Sequence, residues 1–453
     1  MADRAPLTLK QRVFGAGIWT LGGHGLAIGI RLASNLVMTR LLVPEMFGVM
    51  AIVVTITMIL GMFSDLGLLQ NIVQSPRGEE PEFLDTAWVV QIARGFALGA
   101  CMLPLSAGLH FAGLAGLLPA TSAYVSPELP LVIAVYALLP VISAFRSTKV
   151  ATAYRNFSQR RLIEIELVSQ LSGLVIMIVV GVIDRSIWAL VAGAFVSELT
   201  MTVLSHAWMR GHSNRFRYNK TIVRELFDFG KWVFVSSALY MLALTGDKLL
   251  LGVFVGADVL GFYAIASNFV MMINGALGKL FFNVSLPALG EIARNEPSRL
   301  REIYNKLCIP GDVILIFLTG FLFEAGHWVI ILLYDPRYTP AGGMLEILAL
   351  SLFAVRYEMA RQAYTALRLP QYGTVMSLVR FISLCVMVPL SYYVGGTQGV
   401  IWGVALHPLA AVPVVYGFNA KLGLLNWRRE ATVMLVLPIG FLAGLVLNQL
   451  LAR

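Results

Sequence analysis

The chain has 453 residues, 58% of them hydrophobic and 13% charged, with a mean hydropathy of +0.78 and a formal net charge of +9. So little polar surface cannot clothe a soluble fold of this length, which excludes a water-soluble enzyme with long charged helix faces and implies a polytopic membrane protein. Three cysteines, Cys101, Cys308 and Cys385, all in or beside apolar runs, predict no disulfide framework.

A transmembrane helix needs about 20 apolar residues, and thirteen such runs follow one another along the chain. They lie at 13–38, 47–70, 85–108, 128–147, 163–183, 187–208, 229–254, 259–286, 308–333, 342–366, 374–394, 398–420 and 431–451. The first follows a polar head with Arg4, Lys10 and Arg12. It is too long for a signal peptide and ends in no small-residue cleavage site, so it is expected to stay as a span. With the amino terminus inside, the inner segments hold about 22 of the 34 Lys and Arg and the outer ones about 4. That asymmetry predicts a cytoplasmic amino terminus. The basic inner segments are RNFSQRR (155–161), MRGHSNRFRYNKTIVREL (209–226) and GEIARNEPSRLREIYNK (290–306), and their charge is most simply topological.

Residues 14–58 repeat 213 positions further on without a gap. Phe14 matches Phe227, Gly17 Gly230, Trp19 Trp232, Leu26 Leu239, Leu36 Leu249, Gly48 Gly261, Ala51 Ala264, Ile52 Ile265 and Met58 Met271. Six spans separate equivalent points, an even number, so the halves enter the membrane in the same direction as parallel repeats. The predicted organisation is all-α: a six-helix bundle over 1–208, a basic cytoplasmic linker over 209–226, a second six-helix bundle over 227–421, and an additional helix within 422–453.

The segment RLLVPEMFGVMAIVVTITMILGMFSDLGL and its counterpart GDKLLLGVFVGADVLGFYAIASNF resemble the helix corners of the polysaccharide-transporter flippases. That family includes the Wzx-type repeat-unit flippases of the multidrug, oligosaccharidyl-lipid and polysaccharide exporter superfamily. ATAYRNFSQRRLIEIELVSQ is similar to the family's inner loop leading into its fifth helix. The resemblance implies a cargo of polyprenyl-diphosphate-linked oligosaccharide, moved across the bacterial inner membrane for exopolysaccharide, O-antigen or capsule synthesis. Its partners would be membrane lipid and the polysaccharide polymerase machinery, with no cofactor and no nucleic acid. The corner residues themselves, Pro44, Glu45, Gly48, Asp258 and Gly261, suit tight helix starts and close packing, and report the fold.

Charges inside the spans are the candidate site, because each must face protein or a water-filled cavity. Lys231, Lys279 and Arg361 sit near enough to span ends to snorkel. Arg31, Arg94, Lys248, Arg356 and Arg380 are deeper, and are the expected substrate-binding cations of a basic central cavity. Arg31 and Lys248 each lie about 9 Å to the outer side of their span midpoints, in equivalent helices and four positions apart under the repeat offset. That spacing predicts a cation on each wall of a cleft between the bundles, matched to a diphosphate. Glu198 and Asp247 are the candidate ion-coupling acids, and Asp65, Glu346 and Glu358 are further candidate partners that would turn the cations into structural ion pairs. A potential negative inside favours outward movement of an anion by about 2.3 kcal/mol per charge per 100 mV.

No GxxxxGK[ST] loop, HExxH pattern or closely spaced cysteine pair exists, and His24 and His407 are isolated in spans, so neither a P-loop nor a metal site is expected. A membrane glycosyltransferase or polymerase needs a sizeable outer loop with acids or arginines. The longest outer segment, LHFAGLAGLLPATSAYVSPE, has one Glu and no Arg. A multidrug or cation antiporter and a peptidoglycan-precursor flippase of the same superfamily are the nearer alternatives. The first would place acids where Arg31 stands, and the second is usually built with fourteen helices.

Overall fold

The computed structural model describes residues 9–63, 67–156 and 158–451, without the side chains of 9–21, 63, 228–237, 279–284, 286, 287 and 297. The described residues are helical with no strand. In chain order they form α1 (Leu9–Leu41), α2 (Pro44–Phe63), α3 (Leu68–Gln74), α4 (Pro81–Leu114), α5 (Leu129–Tyr136), α6 (Leu138–Ala144), α7 (Lys149–Arg155), α8 (Arg160–Ile183) and α9 (Trp188–Ala207). There follow α10 (Lys220–Phe254), α11 (Ala257–Asn295), α12 (Leu300–Leu333), α13 (Pro340–Ala349), α14 (Leu352–Val355) and α15 (Glu358–Ala366). The chain ends in α16 (Pro370–Leu406), α17 (Val412–Lys421), α18 (Trp427–Met434) and α19 (Val436–Leu451). Proline opens α2, α4, α13 and α16, where its fixed φ suits the first turn and its missing N–H costs nothing.

A helix or a broken helix fills each of the thirteen expected segments, but the uninterrupted apolar helices are fewer. Among the described residues eight are long and apolar enough to cross a membrane, or nine if Leu129–Ala144 and Lys149–Arg155, bent by 58°, count as one span. The difference from thirteen has local causes. The segment expected at 342–366 is cut into α13, α14 and α15, each too short alone. The two expected at 374–394 and 398–420 run together, with the break carried inside α16 by Gly395 and by Gly396 at φ 55°, a left-handed conformation that glycine adopts without strain. Both α1 and α10 contain stretches outside the described side chains.

The helices gather into two compact units. One comprises Met1–Leu42, Ile56–Leu117 and Pro127–Ala238, the other Val43–Thr55, Leu118–Ser126 and Leu239–Arg453. The division passes at Ala238, inside α10, rather than in the expected linker. Residues 209–226 belong to the first unit, because Ile222 and Leu226 complete an apolar cluster with Leu68, Ile72, Phe83, Leu84, Ala87, Val90 and Ala151.

In the second unit the two copies of the repeated corner meet. A Cβ on Gly48 would stand 1.9 Å from the Ala257 carbonyl oxygen, and one on Gly261 would stand 1.8 Å from that of Pro44. The start of each repeat's helix therefore lies against the glycine of the other, an approach only glycine permits. This is why residues 43–55 cluster with the second unit although they belong to the first half of the sequence.

Candidate functional site

A cavity of about 120 Å³ lies within the second unit. Tyr240, Asp247 and Lys248 reach it from α10, Tyr263 and Asn274 from α11, Glu358 from α15, Arg380 from α16, and His407 from the turn before α17. The short helices α13, α14 and α15 and the turns between them bring Leu348, Ser351, Val355 and Glu358 to its wall at helical spacing.

The charges on this wall are grouped. Glu358 accepts a hydrogen bond from Arg380 and lies 2.9 Å from Arg361 Nε. Arg361 also donates to Ser377 Oγ at 3.3 Å and stacks over the Tyr240 ring at 4.6 Å. Arg380 donates its second Nη to the Ala354 carbonyl at 3.4 Å. Asp247 uses Oδ2 to accept a hydrogen bond from the buried Tyr263 hydroxyl, and its Oδ1 is buried with no hydrogen bond among the described residues. Lys248 Nζ is 4.0 Å from Asp247 Oδ2 and, among the described residues, otherwise approaches the Met271 sulfur, at 3.8 Å. Lys248, Arg361 and Arg380 face Asp247 and Glu358, so the group carries one uncompensated positive charge. His407 is buried and directs Nδ1 to the Val404 carbonyl at 2.7 Å.

Two of the five expected cavity cations, Lys248 and Arg380, thus line one space with the expected acid Asp247. The others sit elsewhere. Arg356 does not line this cavity: its side chain is 1% exposed, with Nε and Nη2 on Asp312 at 3.0 and 3.2 Å and Nη2 on Glu430 at 2.7 Å. Arg429 completes the cluster, paired with Glu430 and 3.8 Å from Asp312. Two buried arginines and two buried carboxylates therefore hold α12, the end of α14 and α18 together, the role expected of a structural ion pair. In the first unit Arg94 donates to the Gly61 carbonyl at 2.6 Å and ties α4 to α2. Arg31 is exposed on α1 and makes no hydrogen bond or ion pair among the described residues. Glu198 is held by Arg146, and Glu346 by His327 at 2.7 Å. Asp65 lies outside the described residues, as do the side chains of Lys231 and Lys279.

Sequence reasoning missed Asp312, Arg429, Glu430 and Arg146, and took Arg361 as a residue reaching for the membrane surface. The signal for Asp312 was present, an acid inside the apolar run 308–333. Arg146 and Arg429 stand at the edges of their runs and carried no such mark.

Residues 37–343 match the sequence family described as "Polysaccharide biosynthesis protein". The succinoglycan biosynthesis transport protein ExoT of Rhizobium meliloti (strain 1021) is 22% identical over 338 residues, covering 74% of this chain and 65% of ExoT. The matched stretch thus spans somewhat less than two thirds of that relative's length. Among solved structures, an inward-facing multidrug resistance MATE family transporter of the MOP superfamily superposes with a TM-score of 0.69 at 13% identity, covering 87% of this chain and 94% of that one. Lipid II flippase MurJ in an inward closed conformation gives 0.68 at 12% identity, covering 95% and 92%. A MOP superfamily transporter from Pyrococcus furiosus gives 0.60 at 14% identity, covering 91% and 96%. At these identities the likeness is one of fold.

Proposed function

From the premise that this chain belongs to the polysaccharide biosynthesis protein family, and is a multi-pass membrane protein with a transporter's fold and not an enzyme's, we propose that it flips polyprenyl-diphosphate-linked oligosaccharide units across the bacterial inner membrane. The amino terminus is cytoplasmic in this reading, and the product feeds exopolysaccharide, O-antigen or capsule polymerisation. Transport proceeds by alternating access, the site opening to one face of the membrane and then to the other.

The observation that carries this reading is Lys248. Its ammonium stands on the wall of a cavity, 4.0 Å from the nearest carboxylate oxygen and without a hydrogen bond to oxygen among the described residues. A diphosphate entering there gains a charge-assisted bond that the empty site does not make. Arg380 and Arg361 share one carboxylate, Glu358, and add to the same positive balance. Arg31, exposed and without a hydrogen bond or ion pair among the described residues, and Arg94 are the cations of the first unit that this reading also assigns to cargo.

The test is made in cells lacking the chromosomal copy. Lys248→Ala and Arg31→Ala are each expected to insert at normal abundance and to stop surface polysaccharide, with lipid-linked units accumulating on the cytoplasmic side. Normal polymer from the double variant would remove the proposal. A second reading, a cation or proton antiporter, draws on Asp247 alone, whose buried Oδ1 on the cavity wall has no partner. It requires that loss of the protein alter tolerance to cationic drugs and leave polysaccharide untouched.

A further inference from the structure

Among the three basic segments that the sequence assigns to topology, the described residues of 155–161 and 209–226 are not loose loops. Ser147 donates its N–H to Ser205 Oγ at 2.9 Å and its hydroxyl to Asn214 Oδ1 at 2.9 Å, while Asn214 Nδ2 donates to Thr148 Oγ1 at 2.7 Å. His212 Nε2 lies 2.6 Å from Asp85 Oδ1, which also accepts the Arg215 N–H at 2.9 Å. Asn219 donates to Glu82 at 2.7 Å. Beneath these ties the apolar cluster of Leu162, Ile165, Met201 and Met209 fixes the start of α8 against the end of α9. Topology alone requires charge on the inner side and no such ordering.

The ordered segments enclose a cavity of about 530 Å³ within the first unit, with Lys149, Arg161, Arg210, His212, Asn156 and Ser158 on its wall. Lys149 is 7% exposed, and its ammonium donates to one acceptor, the His206 carbonyl at 2.9 Å. A buried ammonium has three donors and no tolerance for leaving them unmet. Gly211, at φ 139°, passes directly below it, where a Cβ would touch Lys149 Cγ at 3.4 Å. Arg210 makes no hydrogen bond or ion pair among the described residues. Arg161 has only Glu164, at 4.0 Å, and Glu164 accepts a closer bond from Arg160 at 2.9 Å. The one acid on the wall, Glu79, is 3.7 Å from Arg155, whose guanidinium also holds the carbonyls of Ile72, Val73 and Ser75. Asp85, which is not on the wall, directs Oδ1 to His212 and the Arg215 N–H, and its Oδ2 is buried without a hydrogen bond among the described residues.

We propose that this cavity binds a phosphate-class anion, phosphate or diphosphate, between Lys149, Arg161 and Arg210. The chemistry is that of a concave wall with unspent charged donors, with the hydroxyl of Ser158 beside them. The anion is free in solution or carried on a lipid headgroup, and the two sources are separable by experiment. The proposal stands on the first unit alone and is independent of the transport reading.

Full-length protein in a neutral detergent is titrated with inorganic pyrophosphate by calorimetry, and in parallel placed in phosphatidylcholine nanodiscs with and without phosphatidic acid, with lipid adducts counted by native mass spectrometry. The wild type is expected to bind one of the two probes saturably. Arg161→Ala/Arg210→Ala, both exposed positions, is expected to weaken that binding about a hundredfold through loss of two charge-assisted contacts. Arg161→Lys/Arg210→Lys should stay within about tenfold of wild type. Pyrophosphate binding lost in the alanine pair establishes a soluble anion, and phosphatidic acid adducts lost in it establish a headgroup. Saturable binding of neither probe, or equal binding by the alanine pair, overturns the site.

Discussion

Replacing Arg356 with methionine should unfold this protein more readily than replacing Lys248 on the cavity wall. Arg356 donates three hydrogen bonds to two carboxylates, Asp312 and Glu430, and its side chain is 1% exposed. Arg356→Met removes one cation from a balanced group of four and leaves both carboxylates to Arg429, the one remaining cation of the cluster. Breaking a buried pair on one side costs about 3–5 kcal/mol, because the abandoned charge stays desolvated. Lys248→Ala removes a cation whose nearest carboxylate oxygen is 4.0 Å away, and Asp247 keeps its bond from Tyr263, so about 1 kcal/mol is expected. Heated detergent extracts of fluorescently tagged protein, separated by size exclusion, read the difference directly. Arg356→Met should lose its folded peak well below the wild-type temperature, and Lys248→Ala close to it. Arg356→Met/Glu430→Gln restores the balance to one cation and one carboxylate, and should recover most of the loss, as charge removed together with its counter-charge can be nearly neutral. A single variant as stable as wild type, or a double variant no better than the single, would refute the structural assignment of this cluster.

Gly48→Ala and Gly261→Ala should each abolish folded protein in the same assay, because the new methyl would stand 1.9 and 1.8 Å from carbonyl oxygens, whereas Gly275→Ala, with nothing within 4 Å, should fold normally and gain up to about 1 kcal/mol of helix propensity. Glu198→Gln should lower stability by about 1 kcal/mol and leave transport intact, since its partner Arg146 is half-exposed; transport lost at unchanged stability would instead make Glu198 a coupling acid. Cys101 and Cys385 are exposed on helices long and apolar enough to span the membrane and Cys308 is buried, so a maleimide, which needs the thiolate, should label all three slowly in intact membranes and fully once the protein is denatured, which peptide mass spectrometry of labelled membranes checks.

How far the sequence reaches depends on whether a feature is local. The helical segments were legible because apolar length is a property of consecutive residues, and Pro44, Pro81 and Pro370 mark starts that the fold uses. The repeat was legible too, and Gly48 and Gly261 proved to be its most informative pair, though nothing in the spacing says that the two corners pack on each other. The charged groups divide differently. Arg361 and Glu358 are three positions apart on one helix and can be read as a pair from sequence. Arg146 finds Glu198 across 52 positions and Arg356 finds Glu430 across 74, separations that carry no periodic signal. Lys248 and Asp247, adjacent in sequence, show the opposite failure. Neighbours on a helix point about 100° apart, and Lys248 and Asp247 make only a 4.0 Å contact while Tyr263 bonds the carboxylate.

That last contact bears on what a cargo site inside a membrane protein must be. A lone cation on a cavity wall is costly while the site is empty, and a cation locked by a carboxylate is useless when cargo arrives. Arg356 is the locked case, with Nε and Nη2 held by two buried acids. Lys248 lies between the extremes: Asp247 is near enough to lower the cost of the empty state, yet its own strong bond goes to Tyr263. An anion that reaches Lys248 need not break a good ion pair, so nearly all of its charge-assisted bond remains as binding energy. The same logic makes Tyr263→Phe informative. Without the phenol, Asp247 is released to close on Lys248, and affinity for a diphosphate should fall although no cationic residue has changed. Pyrophosphate competition for labelled lipid-linked substrate would measure it, with the Arg161→Ala/Arg210→Ala background silencing the first unit's cavity. Unaltered competition in Tyr263→Phe would mean that the distance between Lys248 and Asp247 does not govern the site.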